Sequence, residues 1–354
     1  MKKRMKAIIA ERAAAAPSAP LDTTDWPLAE GFTIGEGAAA VRVENRVVQA
    51  PLAGIANWAF RRQSRRHGAG LTVSEMVAAF GIHHGNRRTL AMLAIAPDEH
   101  PVGVQLLGAE PDVMAEAARA AEEAGADFVD INMGCPVRKV LKTGAGAGLL
   151  GDPDRAVAVV EAMRRAVRVP VTVKLRRGVT PETSDPVGTA LRLEAAGAAA
   201  ITFHPRAAAE QYAGVADHSI TAEVARAVSI PVIASGNITT PEAARDVVRD
   251  TGCAAVAIGR GALGNPWAFG AIATGRELRQ PPLGDVIEEL RRFAADAREA
   301  LGEERACAWM RKFYPWYLQG RAVTAAERDT LLSAATLDEA LERLDALAAR
   351  TLAA

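Results

Sequence analysis

The sequence has few cysteines, no long apolar run and no net charge. Its three cysteines, Cys135, Cys253 and Cys307, are widely spaced and form no Cys-x-x-Cys pair, so neither a disulfide framework nor a cysteine zinc site is expected. No apolar stretch reaches the roughly 18 residues of a membrane span. Lysine plus arginine total 42, as do aspartate plus glutamate, which argues against a highly basic nucleic-acid-binding domain. We therefore expect a cytoplasmic monomer without a metal or membrane partner.

The chain divides into a tail, a large domain and a small one. Residues 1–37 are predicted to be a loose N-terminal tail and linker, because the segment is rich in alanine and proline. Its basic start is typical of a signal peptide, but Glu11 and Arg12 interrupt the apolar part early. Residues 38–280 are predicted to form an α/β domain, and residues 281–354 a separate helical domain.

Short apolar segments alternate with amphipathic helical patterns through the large domain. The predicted strands are Arg46–Ala50, Gly70–Val73, Val102–Leu106, Phe128–Asn132, Val171–Leu175, Ala200–His204, Val232–Ser235 and Ala254–Ile258. Eight strands alternating with helices favour a closed parallel (β/α)8 TIM barrel, with an open doubly wound sheet as the alternative. The alternation stops near Gly270, and from Leu283 onward the pattern is helix after helix. The predicted fold class is an α/β TIM barrel followed by a small all-helical domain.

Polar and glycine-rich residues collect at the predicted carboxyl ends of these strands, where barrel enzymes carry their chemistry. Those ends carry Ala50–Gly54, Glu75 and Met76, Gln105, Asn132 and Cys135, Lys174 and Arg176, His204 and Arg206, Ser235 to Asn237, and Gly259 to Gly261. The strand interiors are mostly valine, isoleucine, leucine and alanine. This distribution predicts an active site at that end of the barrel.

The last two strands predict a phosphate site. They end in Gly236-Asn237 and in Gly259-Arg260-Gly261, and the loops after these strands commonly bind phosphate in barrel enzymes. Glycine exposes backbone N–H groups, and an arginine guanidinium is a forked donor. The alternative is that these glycines only make turns.

The remaining strand-end side chains leave several roles open. Lys174 follows an apolar run and is predicted to point into the barrel mouth, where it could stabilise negative charge, rather than to lie along the surface. A lone histidine such as His204 is more often structural. The amides of Gln105 and Asn132 can each donate and accept toward a heterocycle. Cys135 follows Asn132 in a Gly-Cys-Pro turn and could serve as a nucleophile or as a general acid.

Several motifs together resemble, in order and spacing, the tRNA-dihydrouridine synthases, most closely their bacterial B-type subgroup. The matching segments are APLAGIANWAFRR, DINMGCPVRKVLKTGAGAGLL, VTVKLRRG, HPRAAAEQYAGVADH, VIASGNI and AIGRGALGNPW. The resemblance covers about residues 45 to 272 and extends more loosely to MRKFYPWYLQG at Met310–Gly320. It implies an FMN enzyme, reduced by NADPH or NADH, that reduces the C5–C6 double bond of a uridine in tRNA.

The resemblance also implies roles for individual residues. Hydride would pass from FMN to C6 while Cys135, as the catalytic general acid, gives a proton to C5. The implied cofactor-binding residues are Pro51, Leu52, Ala53, Gln105, Lys174, His204, Gly236, Asn237, Gly259 and Arg260. The implied substrate and tRNA contacts are Asn132, Lys139, Lys142, Arg176 and Arg206.

The helical segment adds a second tRNA-contact prediction. Arg311 and Lys312 stand among aromatic residues, as in an RNA-contacting face, although part of the aromatic set must pack against the barrel. We assign Trp316 to packing, and Arg311 and Lys312 to tRNA. The helical domain would then be the tRNA-binding domain.

The chain departs from the family pattern in places. It has His204-Pro205-Arg206-Ala207-Ala208-Ala209-Glu210 where the family usually has HGRTRxQ, and His218 where a tryptophan is usual. These changes predict an altered tRNA contact surface. Two other functions stay open: an FMN barrel acting on a free pyrimidine or an enone, and a non-catalytic RNA-binding relative.

Overall fold

The computed structural model describes residues 26–352. The expected tail over residues 1–25 lies outside the described residues. Residues 26–37 are not loose, which corrects that part of the prediction. Trp26 and Leu28 are buried, and the indole N–H of Trp26 donates to the carbonyl of Ile272 at 2.7 Å. Burial of these apolar side chains holds the segment against the barrel.

The centre of the molecule is a closed parallel barrel, as predicted. In chain order the strands are β1 Phe32–Ile34, β2 Val41–Val43, β3 Val47–Gln49, β4 Leu71–Val73, β5 Val77–Ala78, β6 Val102–Leu107, β7 Phe128–Met133, β8 Val171–Arg176, β9 Ile201–His204, β10 Val232–Ser235 and β11 Ala255–Ile258. Strands β3, β4 and β6 to β11 correspond to the eight predicted strands, and pairing of β4 with β6 closes the ring. Strand β5 pairs parallel with the end of β6, and β1 pairs antiparallel with β2.

Helices surround the barrel and then continue into the C-terminal region. They are α1 Trp58–Arg66, α2 Ala79–His83, α3 Arg87–Leu90, α4 Pro111–Glu123, α5 Arg138–Leu141, α6 Pro153–Ala166, α7 Pro186–Ala195, α8 His218–Ala227, α9 Pro241–Thr251, α10 Trp267–Thr274, α11 Leu283–Leu301, α12 Glu303–Met310, α13 Tyr314–Tyr317, α14 Ala325–Ser333 and α15 Leu337–Leu352. Short 3-10 turns cover Gly37–Ala39, Ala91–Leu93, Gly146–Gly151 and Arg260–Ala262.

Local sequence explains where the long barrel helices begin. Asp152, Asp185 and Thr240 each accept a hydrogen bond from a backbone N–H in the first turn of the helix that follows. Each of these three helices also has proline at its start, where the missing N–H is not needed. The apolar faces of α4 and α6 pack in one core cluster with the strands, because they present small alanines and β-branched valines inward.

The C-terminal helical region rests against α1 of the barrel. Phe60 of α1 packs against Phe293 and Phe313 at ring-centroid distances of 6.3 Å. Polar contacts flank this apolar centre: Gln63 donates to Glu289 at 2.7 Å, and Arg66 donates to Asp296 at 2.7 Å. The helical region and the barrel therefore share one continuous interface.

Residues 26–352 contain neither a membrane-spanning helix nor a metal-binding cluster. No helix there combines the length and apolar character needed to cross a bilayer. In the same part of the chain, no group of three or more histidine, cysteine, aspartate or glutamate side chains is arranged to hold a metal ion.

Candidate functional site

The cysteine turn after β7 is shaped by the side chain of Asn132. Its Oδ1 accepts hydrogen bonds from the backbone N–H groups of Gly134 at 3.1 Å and Cys135 at 2.9 Å. A short polar side chain that bonds its own downstream backbone forms a stable turn. The thiol of Cys135 is half-buried, and this turn sets where it points.

A buried polar chain fixes the orientation of that amide in turn. Asn132 Nδ2 donates to Gln105 Oε1 at 2.7 Å, and Gln105 Nε2 donates to Asp130 Oδ2 at 2.7 Å. The other oxygen of Asp130 accepts from the Thr172 hydroxyl at 2.7 Å. Because Asp130 Oδ2 accepts from Gln105 Nε2 and Gln105 Oε1 accepts from Asn132 Nδ2, each amide has a single favourable orientation. The chain runs across β6, β7 and β8 and ends at the cysteine turn.

This chain of hydrogen bonds occupies two residues that we expected to contact the cofactor or the substrate, Gln105 and Asn132. Gln105 is 1% exposed and lies in the chain rather than in the wall of the pocket described next. Asn132 uses its amide to hold Gln105 and the cysteine turn. Both residues therefore act through neighbouring groups in this structure.

A pocket of about 570 Å³, part of it open to solvent, lies at the carboxyl ends of the strands. It brings together most of the predicted cofactor residues: Pro51, Leu52, Lys174, His204, Gly236, Asn237, Gly259 and Arg260. Ala53 is exposed and outside this wall. The pocket also includes Tyr212, Ser235 and Gly261.

A side chain at two of the pocket glycines would crowd neighbouring residues. A Cβ on Gly236 would lie 3.0 Å from the ring of His204, and one on Gly261 would lie 3.1 Å from Thr239. Gly236 also has a φ of 118°, a conformation that glycine alone adopts readily. His218 donates to the carbonyl of Gly236 at 2.9 Å. Bare backbone beside Arg260 fits a phosphorylated ligand.

Lys174 lines this pocket. It is the register partner of Asn132 across the β7–β8 pair. Burial and the positive charge of Arg176 lower the pKa of Lys174 to about 8, against the attraction of Asp130 and Cys135. Burial raises the pKa of the Asp130 carboxyl, while hydrogen bonds from Gln105 and Thr172 oppose the rise.

His204 is held as a neutral imidazole. Burial and then the positive charges of Lys174 and Arg176 lower its pKa far below the ordinary range. Arg206 Nη1 lies 3.0 Å from His204 Nε2, and an arginine only donates, so Nε2 accepts. Arg206 also donates to Asn237 Oδ1 at 2.5 Å. His204 thus presents an uncharged ring to the pocket.

Two arginines that we expected to face tRNA are buried instead. Arg176 is 3% exposed and donates to the carbonyls of Gly134 at 2.9 Å and Gln211 at 2.8 Å. Arg206 is 2% exposed and donates to the carbonyl of Ala213 at 2.9 Å. Their guanidinium groups hold the 207–214 loop, because several backbone carbonyls there turn toward the barrel. This burial corrects the prediction that Arg176 and Arg206 contact tRNA directly.

The two predicted tRNA contacts of the helical segment also differ from expectation. Arg311 is half-buried and donates to the carbonyl of Ala334 at 2.8 Å within the helical region. Lys312 donates to the carbonyl of Gly54 at 2.7 Å, and Trp309 donates to the same oxygen at 3.1 Å. This segment therefore binds the loop after β3, and these side chains do not form an open face for RNA. By contrast, Lys139 and Lys142 are exposed, and Trp316 is packed as predicted.

Sequence reasoning missed two residues of the site. Asp130 had a usable signal, since a carboxylate inside an apolar strand needs a partner. Tyr212 stands in the pocket wall with the guanidinium carbons of Arg260 and Arg176 at 4.5 and 5.3 Å from its ring centre. A single aromatic residue in an alanine- and glycine-rich loop was the signal for it.

Known proteins resemble this chain over most of its length. Residues 48–353 match the family model described as dihydrouridine synthase. The chain is 40% identical over 278 residues to tRNA-dihydrouridine synthase B of Pseudomonas aeruginosa, covering 77% of this chain and 84% of that protein. It is 38% identical over 304 residues to a probable tRNA-dihydrouridine synthase of Rhizobium leguminosarum, covering 85% and 95%.

The fold also resembles solved barrel structures. Histamine dehydrogenase from Rhizobium sp. 4-9 superposes with a TM-score of 0.56 at 15% identity, covering 78% of this chain and 51% of that one. At this identity the likeness concerns the fold alone.

Proposed function

This chain belongs to the dihydrouridine synthase family, and we propose that it is a tRNA-dihydrouridine synthase that uses FMN and NADPH or NADH. The reaction reduces the C5–C6 double bond of one uridine in tRNA by adding a hydride at C6 and a proton at C5. One observation carries the proposal: Asn132, which holds the cysteine turn, is the register partner of Lys174, which lines the cationic pocket. The curated relatives that it matches carry the activity in their names.

The pocket residues have chemistry that suits a flavin phosphate. The wall containing Gly236, Asn237, Gly259 and Arg260 would hold the phosphate, with Pro51, Leu52 and Lys174 along the rest of the cofactor. When bound, FMN supplies the hydride chemistry of the site. Lys174 places a positive charge where negative charge develops, and the neutral ring of His204 adds a hydrogen-bonding group without further charge.

Cys135 is proposed to give the proton to C5. The turn held by Asn132 orients the thiol, and the buried chain through Gln105 to Asp130 keeps Asn132 in place. Proton donation to C5 leaves a thiolate on Cys135. A thiol held in one position next to the flavin pocket is an effective general acid, since orientation itself lowers the barrier.

A uridine in folded tRNA must leave its stack to reach such a pocket. The exposed Lys139 and Lys142, on the turn that follows Cys135, would neutralise phosphates of the RNA around the flipped nucleotide. Because tRNA and reduced nicotinamide cofactors are cytoplasmic, the proposal includes a cytoplasmic location.

An anaerobic flavin experiment tests the proposal. The purified protein is reduced with NADPH, then mixed with unmodified tRNA in one sample and with free uridine or orotate in another, while flavin absorbance is followed. Rapid reoxidation by tRNA alone is the expected result. Reoxidation by the small molecule would favour the free-pyrimidine alternative, and a protein without flavin would favour the non-catalytic one.

A further inference from the structure

We propose that a basic rim of the barrel is the main positively charged surface that binds RNA, and that the helical region is not. The basic rim consists of Arg87, Arg88, Arg138, Lys139 and Lys142. The inference rests on the proposed function and names the surface that receives the tRNA backbone. Arg87 and Arg88 in particular have no other assigned role.

The topology places the two halves of this basic rim side by side. Helices α2 and α3 follow β5, while α5 follows β7, and both β5 and β7 pair parallel with β6. Parallel strands put their carboxyl ends at the same edge. The short loop after β6 bridges the halves: a Cβ on Gly108 would lie 3.2 Å from Ala79, and one on Gly144 would lie 3.8 Å from Ala109.

The charge of the basic rim is not neutralised. All five side chains are exposed. Residues 76–97 and 131–151 contain no aspartate or glutamate at all. Within the described part of the chain, no carboxylate oxygen lies within 4.0 Å of these five cationic groups, although ion pairs are frequent elsewhere. A cluster of unpaired cations on a protein of zero net charge is a local anion-binding surface.

The helical region has the opposite electrostatic character. Residues 281–354 contain 13 aspartates and glutamates against 10 lysines and arginines. Several of its arginines are paired, among them Arg291 with Asp345, Arg298 with Asp338, and Arg350 with Glu327. Arg311 and Lys312 are occupied by carbonyls. A polyanion gains little from these side chains, because contact with each of them would compete with an internal partner.

Exposed rings beside the cations suit RNA in particular. Phe80 is 48% exposed and stacks on His84, with ring centres 6.1 Å apart and an interplanar angle of 25°. Such rings can stack with bases that have left a helix. This pairing of cations with exposed aromatic groups favours RNA over a simple phosphate ligand.

The test compares two double variants that each remove two positive charges. Arg87→Ala/Arg88→Ala alters the basic rim, and Arg291→Ala/Arg292→Ala alters the helical region. Binding of an unmodified tRNA transcript is measured at several salt concentrations with the flavin-loaded protein. We expect the rim variant to bind roughly tenfold more weakly near 0.1 M salt and to lose about two from the slope of log affinity against log salt.

The control variant should bind within about twofold of the unaltered protein, and Arg87→Lys/Arg88→Lys should retain most of the affinity, because the contact is mainly one of charge. Flavin content should be unchanged in all three variants. Equal affinity of the rim variant and the unaltered protein would overturn the inference, as would a larger loss in the helical variant. An unaltered protein that does not bind tRNA would instead count against the proposed function itself.

Discussion

The side chain of Asn132 accepts a hydrogen bond from the backbone N–H of Cys135 at 2.9 Å. The residue beside the reacting thiol therefore builds the turn that presents it. Because Asn132 is in turn held by Gln105, the position of the thiol depends on groups that lie under the pocket.

Asn132→Ala should slow the tRNA-dependent step and leave flavin reduction intact. Without the amide, the N–H groups of Gly134 and Cys135 lose their partner, and the thiol is no longer held in one place. A small misplacement of a reacting group costs up to roughly 100-fold in rate. Single-turnover reoxidation by tRNA measures this loss. Reduction by NADPH, followed in the same preparation, should keep its normal rate, and a defect in both half-reactions would contradict the positioning role.

Cys135→Ala should lower the rate of flavin reoxidation by tRNA by about 10²- to 10⁴-fold, the usual contribution of a general acid. Flavin content and the rate of reduction by NADPH should not change, since the thiol only enters when the uridine is present. Cys253→Ala is a matched control, because Cys253 is a buried thiol remote in sequence from the cysteine turn. Unaltered reoxidation in Cys135→Ala would remove the thiol from the mechanism.

The lowered pKa of Lys174 predicts that flavin affinity depends on pH. In the flavin-free protein its pKa is about 8, so the lysine is charged below that pH and neutral above it. An anionic ligand prefers the charged form, so affinity should be constant below pH 8 and fall by up to about tenfold per pH unit above it. Lys174→Met should bind flavin more weakly and show no such fall between about pH 7 and pH 9. A wild-type affinity that rises with pH would contradict this role.

Glu99→Gln should destabilise the fold by about 3–5 kcal/mol, the usual result of breaking a buried ion pair. Arg61 and Glu99 are 1% and 0% exposed at their side chains and meet at 2.6 Å. Loss of one charge leaves the other buried without its partner. The double variant Arg61→Met/Glu99→Met should recover much of that loss, which equilibrium denaturation of both variants would measure. A double variant less stable than the single one would indicate that the pair itself stabilises the fold.

Local patterns were enough to predict the barrel. The strand predicted at Val102–Leu106 is observed at Val102–Leu107, and the observed helix Pro153–Ala166 begins with proline. Buried parallel strands appear in a sequence as short apolar runs. A proline that follows an aspartate or threonine N-cap marks the start of a helix. Strand β5 was missed, because its two residues are too few to give a periodic signal.

The sequence by itself determined the family, the barrel and the ring of strand ends where the site lies, because these follow from short-range periodicity and motif spacing. Only the tertiary structure decided which cations are available to RNA. Arg176 and Arg206 stand at strand ends in sequence, yet carbonyls brought near by the 207–214 loop bury them. Arg87 and Arg88 carry no motif, yet folding leaves them exposed, as it does Lys139 and Lys142, and no acidic partner lies within 4.0 Å of them among the described residues. Whether a charge is paired depends on long-range contacts, and residue order does not specify these.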